Sequence, residues 1–226
     1  MAGNCEQCIV RKINALQMLK GKELKAISDC KVFQEVKRGE VIFNEGDLLN
    51  GVYCVRSGIC KLTKLSEKGK EQVVKLVVKG ELLGQRSVII NQSANLSATA
   101  LNDMEVCFIP KTEVMDVLRK NNDFSFDVLQ RMASDLKEAE TGIINMAQKS
   151  VRHRLAELIL YLYNEFNVDE KGHLNVTLSR DDFASIVGTA TESIIRTISQ
   201  FKKEGLISTK GKHIKIEDYR GLENVE

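Results

Sequence analysis

Short alternating runs of hydrophobic and polar residues fill the chain from about residue 32 to 110. They are rich in β-branched residues and are separated by glycines, among them Gly39, Gly58 and Gly80. Glycine supplies the positive-φ conformations that tight antiparallel connections need. Regular short strands with turn signals between them predict an antiparallel β-roll that ends near Pro110.

The pattern then changes to helical spacing, with a short helix predicted near 111–120 and a longer one from about Phe124 to Met146. Along the longer helix, apolar residues recur at alternating intervals of three and four, which is the spacing of a coiled-coil seam. We interpret the seam as the contact of a homodimer; the alternative is a helix packed on its own roll. The seam consists of Leu129, Met132, Leu136, Ala139, Ile143 and Met146.

From about residue 147 onward, the pattern predicts three helices followed by a hairpin. Two of the helices are short and are separated by Gly188, which is typical of a helix-turn-helix, and the hairpin around a Lys-Gly-Lys turn would form its wing. The chain is therefore predicted to be an α+β protein. Its regions are an N-terminal segment with a β-roll sensor (1–110), connecting and dimerisation helices (111–146) and a winged helix-turn-helix (147–226).

The second short helix has two chemically different faces. At about 100° per residue, Ile194, Ile198 and Phe201 lie on one side. Glu192 and Arg196 are neighbours on the other side, near the N-terminal end with which a recognition helix reads bases. An arginine can bind guanine through two hydrogen bonds, and a glutamate can accept one from the amino group of cytosine. The polar face comprises Thr189, Glu192, Arg196, Ser199, Gln200 and Lys203.

A purely structural interpretation of this face is the alternative, in which Thr189 and Glu192 cap the helix and Glu192 pairs with Arg196. The surroundings favour DNA, because basic residues outnumber acidic ones between 179 and 215 and several lysines fall at the helix end and the wing. Ser179 with Asp182 has the spacing of a second capping box. The predicted DNA contacts are Glu192, Arg196, Ser193, Thr191, Thr189, Gln200, Ser179, Lys203 and Lys212.

The composition excludes several classes of protein. The chain has 226 residues with a formal net charge of +2, so charge alone does not require a nucleic-acid partner. No apolar run is long enough for a signal peptide or a membrane span, and we expect a cytoplasmic protein with reduced thiols. The histidines His153, His173 and His213 are scattered, and there is no phosphate-binding loop, so we expect no enzyme.

The segment "LSRDDFASIVGTATESIIRTISQFKKEGLISTKGKHIKIED" resembles the winged-helix domain of the CRP/FNR family of bacterial transcription regulators. The family's core motif matches at Gly188, Glu192, Ser193 and Arg196, and "RGEVIFNEGD" and "VYCVRSGICKL" resemble its cyclic-nucleotide-binding-like roll. The resemblance implies a homodimer that reads a palindrome with TGA-like half-sites in double-stranded DNA and has RNA polymerase as a partner. Thr191 stands where the cAMP receptor protein has an arginine.

The segment that would bind a cyclic nucleotide departs from the cAMP-binding relatives. Gly84 is kept, but Gln85 replaces their glutamate, and Asn95 and Leu96 stand where they have arginine and serine. Arg86 is nearby but out of register. A buried phosphate would lack its main countercharge, so cAMP binding is not expected.

The N-terminal Cys-x-x-Cys resembles part of the site at which the FNR branch ligates an oxygen-sensitive [4Fe–4S] cluster. Cys5 and Cys8 match two of its N-terminal cysteines, and Cys107 matches the cysteine of the roll. Asn14 stands at the remaining position. Because cluster ligation usually takes four thiolates, a zinc site, a thiol switch and idle thiols remain open as alternatives.

The other cysteines are Cys30, Cys54 and Cys60. Cys30 is a conceivable fourth ligand, although it lies in a predicted helix, and we interpret Cys54 and Cys60 as small buried hydrophobic residues. The function predicted is a sequence-specific DNA-binding regulator whose DNA affinity responds to a redox, oxygen or metal signal at the roll. The alternative is a module of the same fold that binds a small effector and acts through protein partners.

Overall fold

A computed structural model of the chain describes residues 5–67, 69 and 71–226. The chain divides into two compact units. The first unit holds the chain up to Gly69 and again Val74–Lys137, and the second holds Glu138–Glu226 and the short stretch that ends at Val73. No helix in the described part of the chain is long and apolar enough to span a membrane.

The first unit opens with three short 3-10 helices and helix α1. Asn14 begins the third 3-10 helix, because its side-chain oxygen accepts a hydrogen bond of 3.0 Å from the backbone N–H of Leu16. The 3-10 helices span Cys5–Gln7, Ile9–Ile13 and Ala15–Met18, and α1 spans Gly21–Cys30.

The β-roll predicted from the alternating pattern is confirmed. Its elements are β1 (Val32–Val36), β2 (Val41–Phe43), β3 (Gly51–Ser57), β4 (Cys60–Leu65), β5 (Glu71–Val77), β6 (Leu82–Leu83), α2 (Gln85–Ile90), β7 (Ser97–Ala100) and β8 (Met104–Pro110). They form two four-stranded sheets with the orders β1-β8-β3-β6 and β2-β7-β4-β5. Apolar side chains from both sheets fill the interior, with Val55, Cys60, Ala98 and Val106 fully buried.

Two helices follow the roll, as predicted. Helix α3 spans Lys111–Lys120, and the long helix α4 spans Asn122–Gln148, slightly more than the sequence pattern indicates. Phe124 and Val128 of α4 are buried in the hydrophobic core of the first unit. The first turns of the long helix are therefore held by tertiary packing, and the helix continues into the second unit.

The second unit contains the predicted helix-turn-helix and wing. Its elements are α5 (Val151–Phe166), α6 (Arg180–Val187), α7 (Thr191–Lys203), β9 (Ile207–Lys210), β10 (His213–Ile216) and α8 (Tyr219–Glu223). Helix α8 was not predicted from the sequence; it packs on α5, where the rings of Tyr163 and Tyr219 lie 5.5 Å apart. Leu155, Ile159, Phe183, Ile194 and Phe201 form part of the buried interior.

One predicted capping box is confirmed and the other is wrong. Ser179 and Asp182 exchange the reciprocal hydrogen bonds of a capping box at the start of α6. Thr189 does not cap α7, because Gly188 adopts a left-handed conformation and the N–H of Thr189 bonds back to the carbonyl of Ala184. Thr189 therefore stays in the turn, and α7 begins after Ala190 without a side-chain cap.

Candidate DNA interface and cysteine pocket

Helix α7 separates its apolar side from its polar side as predicted. Ile194, Ile198 and Phe201 are buried, and they anchor the helix in the second unit. Thr197 is buried as well, and its hydroxyl donates to the carbonyl of Ser193 at 2.8 Å. The exposed residues of the polar side are Glu192, Arg196, Ser199, Gln200 and Lys203.

The side chains of Glu192 and Arg196 are exposed one helical turn apart. Within the described residues they form no ion pair with each other, and the guanidinium of Arg196 instead donates to the hydroxyl of Ser193 at 3.4 Å. Glu192 is the second residue of α7, and within the described residues no capping box forms at the helix's N-cap residue, Ala190. The contacts required by the purely structural interpretation are thus not formed, and both side chains are available to a partner.

Two predicted DNA contacts also have partners inside the protein. The hydroxyl of Thr191 donates to Asp181 Oδ1 at 2.7 Å and ties α7 to the first turn of α6. Ser179 Oγ accepts a hydrogen bond of 3.0 Å from the N–H of Asp182. The first contact joins the two helices and the second caps α6, and the roles of both residues on DNA stay predictions. Ser193 and Thr189 are half-buried, and Lys212 is exposed in the wing turn.

Arg180 links the start of α6 to the wing. Its Nη2 donates to the carbonyl of Gly211 at 3.4 Å, and burial lowers its pKa. Its Nη1 is buried and has no hydrogen-bond partner among the described residues. An unsatisfied donor on a cation is costly unless an acceptor reaches it, and a phosphate oxygen is such an acceptor. The sequence alone identifies Arg180 only as one of the basic residues between 179 and 215, and it does not indicate the contact with the wing.

Arg154 of α5 holds the end of α4 and the turn of the helix-turn-helix together. Its Nε donates to the carbonyl of Val187 at 2.9 Å, at the end of α6. Its Nη1 donates to the carbonyls of Lys149 at 2.5 Å and Met146 at 3.3 Å. Because these partners are backbone atoms far apart in sequence, no sequence motif identifies Arg154 as a positioning residue.

The predicted seam is exposed along most of α4. Leu129, Leu136 and Ile143 recur every seven residues and are 61%, 62% and 70% exposed. Met146 is 44% exposed. Met132 differs, because it is half-buried and packs against the core of the first unit. An apolar stripe of this kind on a charged helix is typical of a surface that binds a partner.

Four cysteines line one small pocket in the first unit: Cys5, Cys8, Cys54 and Cys107. Cys54 of β3 and Cys107 of β8 stand directly opposite each other on neighbouring antiparallel strands, so their side chains leave the same face of the sheet. Cys54 was predicted, like Cys60, to be a buried hydrophobic residue. Cys54 is buried, but it also belongs to the pocket, which only the register of the two strands reveals.

Basic side chains surround the four thiols. Arg11, Lys31 and Arg56 line the same pocket, and the Nζ of Lys31 donates to the Sγ of Cys5 at 3.1 Å. The Nη1 of Arg11 donates to the carbonyl of Leu19 at 3.2 Å, but its Nε is buried and has no partner within the described residues. A buried unsatisfied donor next to several thiols suits an anionic group, such as a thiolate-ligated cluster.

The surroundings of the thiols shift their acidity. Burial raises the pKa of Cys54 to about 12, against the lowering effect of a hydrogen bond from Asn14. Burial also raises the pKa of Cys107, although Lys31 and Arg56 act in the opposite direction. At neutral pH the thiol of Cys54 is therefore protonated, and a metal that binds there must displace the proton.

The four thiols and the basic side chains of the pocket match the chemistry of a cluster, but the thiols are not arranged around a single metal ion. In the part of the chain that the structure describes, no three His, Cys, Asp or Glu side chains are placed to bind one ion. A zinc ion needs its donors about 2.0–2.3 Å away around one point, whereas an iron–sulfur cluster distributes its thiolates over several iron atoms. The cavity measures about 20 Å³, which is room for about one water molecule. A cluster would therefore require the pocket to widen.

The segment that begins at Gly84 corresponds to the segment with which the cAMP-binding relatives hold the nucleotide. Gly84 precedes α2 in a left-handed conformation with φ of 81°. Leu96 is buried, whereas Arg86 and Asn95 are exposed. The side chain at the position of the relatives' serine thus packs inward as a hydrophobic residue, and the nearby arginine lies at the surface.

Two domain families match the chain in sequence. The cyclic nucleotide-binding domain family matches residues 33–121, and the Crp-like helix-turn-helix domain family matches residues 153–225. The chain belongs to the CRP/FNR family. This CRP/FNR protein is a transcription regulator with a helix-turn-helix DNA-binding domain and a sensor domain of the cyclic-nucleotide-binding fold.

Curated relatives of this CRP/FNR protein carry FNR-type names. It is 28% identical over 222 residues to the anaerobic regulatory protein of Haemophilus influenzae, which covers 97% of this chain and 86% of the relative. It is 26% identical over 224 residues to the fumarate and nitrate reduction regulatory protein of Escherichia coli K12, with coverages of 97% and 88%. Both relatives are named as regulatory proteins.

Solved structures share the fold of this CRP/FNR protein. FixK2 from Bradyrhizobium japonicum superposes with a TM-score of 0.77 at 21% identity, covering 87% of this chain and 97% of that chain. A CRP/FNR-family transcriptional regulator from Thermus thermophilus gives a TM-score of 0.73 at 24% identity, with coverages of 85% and 96%.

Proposed function

We propose that this CRP/FNR protein binds, as a homodimer, a palindromic DNA site with TGA-like half-sites, and that a redox or oxygen signal at the cysteine pocket modulates its DNA affinity. The observation that carries the proposal is the exposed pair Glu192 and Arg196 on a helix whose other side is anchored by Ile194 and Phe201. Such a regulator works in the bacterial cytoplasm, and RNA polymerase is a further expected partner.

The chemistry of the pair matches the G·C base pair of a TGA-like half-site. The guanidinium of Arg196 can donate to guanine O6 and N7, and the carboxylate of Glu192 can accept from the amino group of the paired cytosine. Lys203 at the end of α7 and Lys212 in the wing are exposed and are suited to phosphates on either side.

The exposed seam supports the homodimer. Leu129, Leu136 and Ile143 leave most of their apolar surface in water, and burying each against a second copy would contribute about 1.5–3 kcal/mol. A two-fold dimer places two recognition helices about one DNA turn apart, which matches a palindrome.

One continuous core supports the coupling between pocket and long helix. Cys107 of the pocket and Phe124 and Val128 of α4 belong to the same hydrophobic cluster. Lys75 of β5 adds an ion pair to Asp135 of α4 at 2.6 Å. An iron–sulfur cluster would supply sensitivity to oxygen at the pocket. A shift of the N-terminal segment there would change the packing of α4 and hence the arrangement of the two DNA-binding units.

The test is equilibrium DNA binding by the full-length protein purified without oxygen. A palindromic TGA-type duplex, chosen from a library, should bind two chains, and a duplex with one half-site scrambled should bind much more weakly. Glu192→Ala and Arg196→Ala should each weaken binding by about 1–3 kcal/mol per half-site, because each removes a base contact. Fluorescence anisotropy measures these affinities.

Matched controls separate base reading from charge. Glu165→Ala and Arg220→Ala remove the same charges from exposed positions in the second unit away from α7, and they should bind like the wild type. The proposal fails if Arg196→Ala binds the palindrome as tightly as the wild type, or if scrambling one half-site changes nothing.

A further inference from the structure

We propose that Cys54 is the fourth thiolate ligand of an iron–sulfur cluster that is also held by Cys5, Cys8 and Cys107. In this chain a cysteine from strand β3 would thus replace the ligand that the FNR resemblance requires at position 14, where Asn14 stands. The inference rests on the proposed function, because it names the ligands of the proposed sensing site.

Position 14 and Cys54 are direct neighbours in the folded unit. Asn14 is 1% exposed, and its Nδ2 donates to the Sγ of Cys54 at 3.3 Å. A thiol at position 14 would therefore lie beside the sulfur of Cys54. The ligand missing from the linear pattern is supplied in space by a neighbouring strand, and the amide of Asn14 supports it as a hydrogen-bond donor to the sulfur.

Cys30 and Cys60 are less well placed than Cys54 to be the fourth ligand. Cys30 ends α1 and does not line the pocket; its Sγ is directed to the carbonyl of Ile27 at 3.5 Å. Cys60 lies on the other sheet and is directed to the carbonyl of Lys61 at 3.5 Å. Cys54, in contrast, is the direct cross-strand partner of Cys107.

The charges around the pocket match the charge of the proposed group. Four thiolates make a cluster anionic, and Arg11, Lys31 and Arg56 are the cations that face it. The unsatisfied Nε of Arg11 would gain a sulfur acceptor. When ferrous iron, ferric iron and inorganic sulfide are supplied together, the iron needs no change of oxidation state, and each ligating thiol releases its proton to solvent and forms one iron–sulfur bond.

The experiment is anaerobic reconstitution of the full-length protein with ferrous iron, ferric iron and sulfide. Iron and sulfide per chain and the visible absorption spectrum are the readouts. The wild type should bind both and show the charge-transfer absorption of a cluster, and Cys54→Ala should lose the absorption and the bound sulfide. Cys60→Ala is the matched control, because it removes an equally buried cysteine from the other sheet and should load like the wild type.

A rescue variant excludes simple misfolding. Asn14→Cys introduced into Cys54→Ala places a thiol next to the position of the lost one and should restore bound iron and sulfide. If the wild type takes up no iron and sulfide, or binds a metal without sulfide, the cluster part of the proposed function falls together with this inference. If the wild type loads and Cys54→Ala loads equally, only the assignment of Cys54 is overturned, and DNA binding by Glu192 and Arg196 is unaffected.

Discussion

The DNA-reading face of α7 is exposed on the surface of its unit, whereas the cysteine pocket is part of the hydrophobic core of its unit. Glu192 and Arg196 are exposed, and the packing of their helix depends on other residues. Cys5, Cys54 and Cys107 are themselves part of the hydrophobic core. Base reading can therefore be removed without loss of stability, whereas the geometry of the pocket depends on the packing of the whole first unit.

The largest effect on this comparison is expected from a substitution in the core of the first unit that neither lines the pocket nor lies on α7. Ile27→Ala in α1, where Ile27 is 1% exposed, should destabilise the first unit by about 2–5 kcal/mol through the cavity that it leaves. Because the pocket shares that core, labelling of Cys54 by a thiol reagent should accelerate about 30-fold for a loss of 2 kcal/mol. Mass spectrometry of the labelled peptides measures the rate.

The matched control is Ile159→Ala in the second unit, where Ile159 is 0% exposed. It should cause a similar loss of stability in its own unit and leave the labelling of Cys54 unchanged. Equal acceleration of labelling in both variants would show that the pocket is not specifically coupled to the core of the first unit.

The same difference decides how far the sequence could predict each region. The faces of α7 follow from helical periodicity, so the residue pattern alone assigns Ile194 and Glu192 to the correct sides of the helix. The role of Cys54 depends on the register of β3 with β8, which spacing within the chain does not display. Arg154 escaped prediction because it binds backbone carbonyls, and Thr189 was misassigned because the left-handed turn at Gly188 delays the start of α7.

A smaller loss of stability is expected from a substitution at Gly188, in the turn that precedes α7. Gly188 and Gly205 have φ values of +72° and +75°, so alanine at either position should cost about 1–2 kcal/mol. A Cβ at Gly188 would also lie 2.8 Å from the Sδ of Met146, whereas nothing lies within 4 Å at Gly205. Moving Met146 off its rotamer would add about 0.5–1.5 kcal/mol. The unfolding temperature of Gly188→Ala should therefore be lower than that of Gly205→Ala. Equal decreases in both variants would show that the side chain of Met146 moves aside without a measurable cost.

The smallest expected effect concerns the ion pair that ties α7 to α5. Arg152 donates to both carboxylate oxygens of Glu204, and its guanidinium lies 4.9 Å from the ring centroid of Phe201. The hydrogen bond from Arg152 holds the pKa of Glu204 below its ordinary value of 4.5. Since the folded pKa is the lower one, the pair stabilises the fold above the ordinary pKa, and this contribution is lost as the pH falls through the lowered value.

Thermal unfolding of the wild type and Glu204→Gln between neutral pH and pH 3 measures this contribution. The wild type should unfold at a slightly higher temperature at neutral pH, and the difference should shrink below about pH 4.5. The effect should be modest because both side chains are partly exposed to solvent. In an Arg152→Gln background, Glu204→Gln should change nothing, because the interaction depends on both partners. If the difference in unfolding temperature between the wild type and Glu204→Gln did not change with pH, Glu204 would stabilise α7 through its packing and not through its charge.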